Sequence, residues 1–406
     1  MSVPLPLPTR RARRVVDSHE ITRSAIRLSG VFILWAGGWA TYRWLDPGSW
    51  WGPLHTFMIG GVVLAISGAS QLFSITWAAA IPPDHRLARA QRWLVATGAV
   101  AVIAGVTWGS NWVVVVGALL VGLGLTGLAM ILVGVTRRSL LRRFGLSSRF
   151  YLLAIAAGVM GVALGAVLGI GMAGRRYVDF RVAHMHLNLV GLVGFTIVGT
   201  LPTILPTMAH HKMVSGREAV IGFWLSALAL AAMAVGVTAG SVATGVGVGL
   251  AGVGAAVTLV GILLRLGTRR IAASGVPALL VTSGSLWLIG WMLAQAVALI
   301  GGEHIAWSRA TAVGVGGVTH VLFGSLAYLI PVLAGRGSNL GANLERMGAN
   351  PWARVVVANA AVIVVAAGLP GLIAMILGAM FGADFGARVA LVFLRGRNRA
   401  GRLAEE

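Results

Sequence analysis

The sequence predicts an all-α fold: a polytopic transmembrane bundle of about 12 spans with both termini in the cytoplasm. Two observations carry that expectation. Apolar runs of about 18 to 25 residues recur from one end of the chain to the other, each long enough to cross a hydrocarbon core. Hydrophobic residues make up 57% of the 406 positions against 11% charged, and the arginines gather in short loops between the runs, where they set orientation. No segment has the mixed composition of a soluble core. Residues 24–394 therefore read as one transmembrane domain between basic cytoplasmic tails at 1–23 and 395–406.

Taken in order, the first span covers about 24–45, after a tail rich in arginine and without a small-x-small cleavage site. Trp50 and Trp51 follow, a pair suited to the membrane interface. Span two, about 53–80, opens PLHTFMIGG and carries His55 near its start. Spans three and four cover 93–108 and 112–135, and RRSLLRRFGLSSR follows as the densest basic loop. Span five runs over 150–173. The loop GRRYVDFRV leads into span six, 183–206, which opens with His184 and His186. Spans seven to ten lie near 219–239, 245–264, 276–300 and 311–333. The last apolar stretch, 352–394, is interrupted by Leu369-Pro370-Gly371. Proline disfavours helix in its predecessor, so the stretch divides into two spans, or into one bent helix with an interfacial one. Within it Asp384 and Arg388 stand four apart and can pair across one turn.

Composition excludes several classes. The net charge of +21 sits in topology-setting loops, so no nucleic-acid partner is expected; the partner implied is the bilayer. Cysteine is absent, which removes disulfides, thiolate-held zinc, iron–sulfur clusters and covalent haem attachment. There is no Walker loop, and GVGVGLAG (245–252) lies inside an apolar span, where it serves helix packing.

Histidine placement is the chemical signal. With twelve spans, even-numbered helices start at the outer face. His55, His184, His186 and His320 then lie in or at the mouth of a span on one side, with His304 in an outer loop. Imidazole is costly in hydrocarbon unless partnered. His184 and His186 are about 200° apart around a helix, so they face different neighbours. The set is either a haem or metal site, or a series of imidazoles bonded singly to carbonyls and interfacial water.

These residues resemble a known family. HMHLNLVGLVGFTIVGT is similar to the His-x-His helix of haem-copper oxidase subunit I, especially the short cbb3 type, and LHTFMIGGVVLAISGA to its histidine-bearing second helix. With THVLFGSLAYLIPVLAGRG and RVVVANA, the pattern is closer still to the bacterial membrane region found fused to multicopper oxidases. It also resembles the NnrS-like membrane proteins. The resemblance implies that His55 and His186 clamp a haem b while His184 faces a second site. Arg175 and Arg176 are of the type that holds haem propionates. It does not imply oxygen reduction. No span holds adjacent histidines, His-x-x-x-Tyr is missing, and Asp384 is the one intramembrane carboxylate. Copper is conceivable, but its full ligand set is not present.

Three functions follow as expectations. The first is a haem protein passing electrons at the outer face to an extracytoplasmic copper oxidase or reductase. The second is a module sensing a small ligand at an open site of His184 and His320. The third is a cofactor-free scaffold or transporter.

Overall fold

The computed structural model describes residues 10–46, 48–77, 79–138, 145–212, 216–303, 307–334 and 339–405. His304, the tail 1–9 and parts of the expected inner loops (139–144, 213–215, 335–338) lie outside these. Among the described residues there is no strand. The helices are α1 (Arg10–Leu45), α2 (Trp51–Trp77), α3 (His85–Trp108), α4 (Asn111–Arg137), α5 (Gly145–Gly169), α6 (Gly174–Met208), α7 (Arg217–Ala239) and α8 (Ser241–Leu266). They continue with α9 (Thr268–Ala273), α10 (Gly275–Ile300), α11 (Trp307–Ala334), α12 (Asn339–Gly348), α13 (Pro351–Ala366) and α14 (Gly371–Glu405).

Ten of the described helices are long and apolar enough to cross a membrane, up to eleven if the pair α12 and α13, bent by 50°, is taken as one broken span. Many of their large apolar side chains, such as Leu34, Leu123, Leu228, Leu264, Val297 and Ile376, are exposed. An apolar surface of that extent suits lipid and not water. The chain is a multi-pass helical membrane protein. Helix α1 is not among the ten, because Arg27, Arg43 and its tryptophans and glycines dilute the apolar run. The helix also begins earlier than the expected span: no proline or glycine separates Arg10 from Ser29, and the basic segment is helical from Arg10. The break at Leu369-Pro370 is present, with Gly368 at φ +70°, and α14 continues beyond 394 to Glu405.

The described chain divides into two compact units, residues 1–199 and 200–406. In the first, glycines set the helix spacing. A Cβ on Gly98 would lie 2.8 Å from the Gly117 carbonyl oxygen, and one on Gly117 2.5 Å from the Val102 nitrogen. So α3 and α4 touch backbone to backbone, the close approach that small residues permit in membranes. Gly117→Val is expected to force the two helices apart and cost about 1–3 kcal/mol, read as a lower melting temperature in detergent. Phe32 of α1 fills the space over Gly60 of α2, and Ser29 donates to the Gly61 carbonyl at 2.7 Å. Gln91 of α3 donates to Ser67 Oγ of α2 (3.1 Å) and to the Gly124 carbonyl of α4 (3.2 Å).

The second unit uses the same device. Gly222 and Gly254 bring α7 to α8, and Gly284 and Gly317 bring α10 to α11. The GVGVGLAG run packs as the sequence suggests: Gly247 lies on Ala229 and Met233 of α7, and Gly252 on Met292 and Leu293 of α10. Glu218 and Arg265 pair at 2.7 Å between α7 and α8.

Candidate functional site: a histidine pair in the first unit

Helices α2 and α6 share an unusual build. In α2 the α-helix Trp51–His55 passes at the histidine into a π-helix, Thr56–Val63. In α6 the α-helix Tyr177–His186 passes into a π-helix, Leu187–Gly194. Each π segment is eight residues long and begins immediately after a histidine. π-Helical turns are rare and concentrate at functional sites. Both carry a glycine five residues after that histidine. Gly60 lies against Phe32, and Gly191 against Ala157, so the widened turns are tolerated where a neighbouring helix fits over a missing side chain.

The pairing that results is between His55 and His184. Their ring centres are 6.3 Å apart and their planes 14° from parallel. Both are half-buried. His55 Nδ1 donates to the Trp51 carbonyl at 2.8 Å, and the Trp51 ring stacks on the imidazole at 4.2 Å and 22°. His184 Nδ1 donates to the Gly161 carbonyl of α5 at 2.8 Å. A carbonyl can only accept, so Nδ1 carries the proton in each ring. The lone pair is then on Nε2, the tautomer that a metal-ligating histidine takes when its other nitrogen is held by a second-shell acceptor.

Helix α5 explains why His184 sits there. Gly158, Gly161 and Gly165 form a stripe, and Leu192, Asn188 and His184 of α6 lie on it in that order. A Cβ on Gly165 would be 2.7 Å from His184 Cε1, and one on Gly161 2.3 Å from Asn188 Nδ2. Asn188 donates to the His184 carbonyl at 2.8 Å. The 3.3 Å approach of Asn188 Nδ2 to His184 Nδ1 is a contact and not a hydrogen bond, since both are donors once Nδ1 carries the proton. Gly165→Val is expected to displace the His184 ring while leaving α6 in place, lowering any metal-dependent absorbance without loss of helix content by circular dichroism.

The other expected site residues are placed elsewhere. The resemblance pairs His55 with His186; the ring that the fold lays against His55 is that of His184. His186 is fully buried, its Nδ1 donating to the Val182 carbonyl at 2.8 Å. The 200° separation lets only one of the two histidines face α2, and the α5 glycine stripe takes His184. His320 belongs to the second unit, 5% exposed, with Nδ1 donating to the Gly316 carbonyl at 2.8 Å and its Cβ against Gly284. Arg175 and Arg176 form a short 3-10 turn at the start of α6. Arg175 is exposed, and the Arg176 guanidinium lies over the Phe180 ring at 5.1 Å. Among the described residues no group of three or more His, Cys, Asp or Glu side chains is gathered to hold a metal ion.

The donor set the fold assembles is thus two neutral imidazoles. With their ring centres 6.3 Å apart, these two imidazoles are the residues that would hold a haem or metal ion, supplying nitrogen donors to it. Trp51, Gly161, Gly165 and Asn188 are site residues that a reading for ligand types passes over. The signal for Gly161, Gly165 and Asn188 was present in the i, i+4 ladder His184–Asn188–Leu192 and in the Gly158–Gly161–Gly165 stripe.

The class defined by this fold and site is a multi-pass helical membrane protein with a paired-histidine site between two helix mouths. No protein-family model matches the chain, and comparison with characterised proteins gives no match either.

Proposed function

We propose that this chain is a b-type haem membrane protein in which His55 and His184 would hold the haem, and that it transfers electrons. The observation that supports it best is the pair itself: near-parallel imidazoles at 6.3 Å, each with Nδ1 tied to a backbone carbonyl. A haem held by His55 and His184 would supply a one-electron couple at this site. The chain's own residues do the rest. The Trp51 and Gly161 carbonyls fix ring orientation and raise ligand basicity. Trp51 covers the His55 ring. Arg175 and Arg176, about 12 to 14 Å along the axis from His184 at 1.5 Å per residue, offer positive charge for propionates.

In this reading the protein has twelve spans in a bacterial plasma membrane, with both termini inside and the histidines at the outer face. Its partner is an extracytoplasmic copper oxidase or reductase. The test is a reduced-minus-oxidised spectrum of the purified protein, where a sharp low-spin b-type α-band is expected. A colourless, iron-free preparation from haem-replete cells overturns the proposal.

A further inference from the structure

The second unit holds a charged cluster that the histidine pair does not use. It lies where α12, α13 and α14 meet. Arg354 of α13 is 5% exposed. Its Nε is 2.7 Å from Asp384 Oδ2, and its Nη1 donates to the Met347 carbonyl. Arg388 of α14 gives its Nε to Asp384 at 2.9 Å and its Nη1 to the Arg346 carbonyl at 2.6 Å. Arg346 and Met347 occupy the last turn of α12. Two guanidiniums therefore take carbonyls that this helix end leaves unsatisfied, and their charge opposes its dipole.

That arrangement leaves charge over. Two guanidiniums (Arg354, Arg388) meet one carboxylate (Asp384), and Arg346, in the last turn of α12 at the same junction, adds a third positive charge; Glu345, also on α12, is exposed. Arg346 spends Nη1 on Asn343 at 3.0 Å. Arg354 Nη2 is buried and has no hydrogen-bond partner. A buried cationic donor without an acceptor is expensive next to hydrocarbon. The face of α14 beside it, with Leu372, Ile373, Ile376 and Met380, is exposed, while Phe381 and Phe385 turn inward onto Phe323. Helix α12 is short and charged and bends by 50° into the apolar α13, the form of a segment lying at a membrane surface.

We infer that the Arg346–Arg354–Arg388 cluster binds a phosphate monoester or diester anion, and that its source is the headgroup of an anionic phospholipid whose tails lie along α14. Basic pockets between membrane helices take such headgroups, and guanidinium forks match phosphate oxygens.

The test compares lipid retention and thermal stability of the full chain in detergent. The probes are phosphatidylglycerol, phosphatidylcholine and inorganic phosphate. Phosphatidylglycerol is expected to co-purify by mass spectrometry and to raise the melting temperature; phosphatidylcholine is not. Arg346→Gln, whose side chain is tied to Asn343 of its own helix, is expected to weaken phosphatidylglycerol binding about fivefold, the worth of one interfacial arginine. Arg354→Gln should abolish it if the variant folds. Equal effects of the two lipids, or no effect of Arg346→Gln, would overturn the inference. Stabilisation by inorganic phosphate alone would overturn the lipid source.

Discussion

His184→Ala is expected to remove the low-spin haem signal from the purified protein, and His55→Ala to do the same. His186→Ala should keep it. The contrast is large because His55 and His184 are the rings that the fold lays side by side, whereas His186 is fully buried about 200° around α6 from His184. Loss of one ligand leaves five-coordinate, high-spin haem or none at all. The prediction separates the pairing in this fold from the one implied by resemblance to haem-copper oxidases, in which His55 and His186 share the iron. It is read from the α-band of the reduced variants, with helix content by circular dichroism showing that each has folded. If His186→Ala bleaches the protein and His184→Ala leaves it coloured, the His55–His184 assignment falls.

Asp384→Asn is expected to be the most destabilising polar substitution in the second unit. The carboxylate answers Arg354 at 2.7 Å and Arg388 at 2.9 Å. Arg388 has a second acceptor, the Arg346 carbonyl. Arg354, 5% exposed, would keep its charge with only the Met347 carbonyl to offset it. The Asp384 side chain is 36% exposed, so water screens the pair in part, and stranding the Arg354 charge is expected to cost about 1–3 kcal/mol, below the range of a fully buried pair. Thermal unfolding in detergent should show a drop of several degrees for Asp384→Asn. Asp384→Glu, which retains the charge, should lose less. Equal melting temperatures for wild type and Asp384→Asn would mean that the pair is solvated and carries little.

Much of the fold was legible because a bilayer leaves few options: each backbone polar group must be satisfied within its own segment, so spans appear as long apolar runs. The Leu369-Pro370-Gly371 break and the Asp384–Arg388 pair were readable for local reasons, a proline constraint and a four-residue spacing. The helical start at Arg10 was readable too, since no helix breaker stands between Arg10 and Gly30, but charge density alone suggested a tail. The role of Arg354 was not legible, because it reaches Asp384 from thirty positions away.

The site was half legible. Two histidines in a His-x-His, and a third on another helix mouth, announced imidazole chemistry. Which member of the pair faces His55 depends on the partner helix. The answer lies in three α5 glycines that a residue-by-residue reading treats as packing material. The π segments were hidden for a related reason. A π turn shifts the register of the residues C-terminal to it, and periodicity at 3.6 residues per turn does not detect it. What the sequence does show is the glycine five residues after His55 and again after His186, which lets the turns widen beside Phe32 and Ala157.

The central claim is that one iron is shared by two nearly parallel imidazoles, and low-temperature electron paramagnetic resonance of the oxidised protein tests it most directly. Ring planes 14° apart should give a rhombic low-spin ferric spectrum with three resolved g values. A strongly anisotropic low-spin signal, as perpendicular ligand planes give, or a high-spin signal from iron with one histidine, would contradict it.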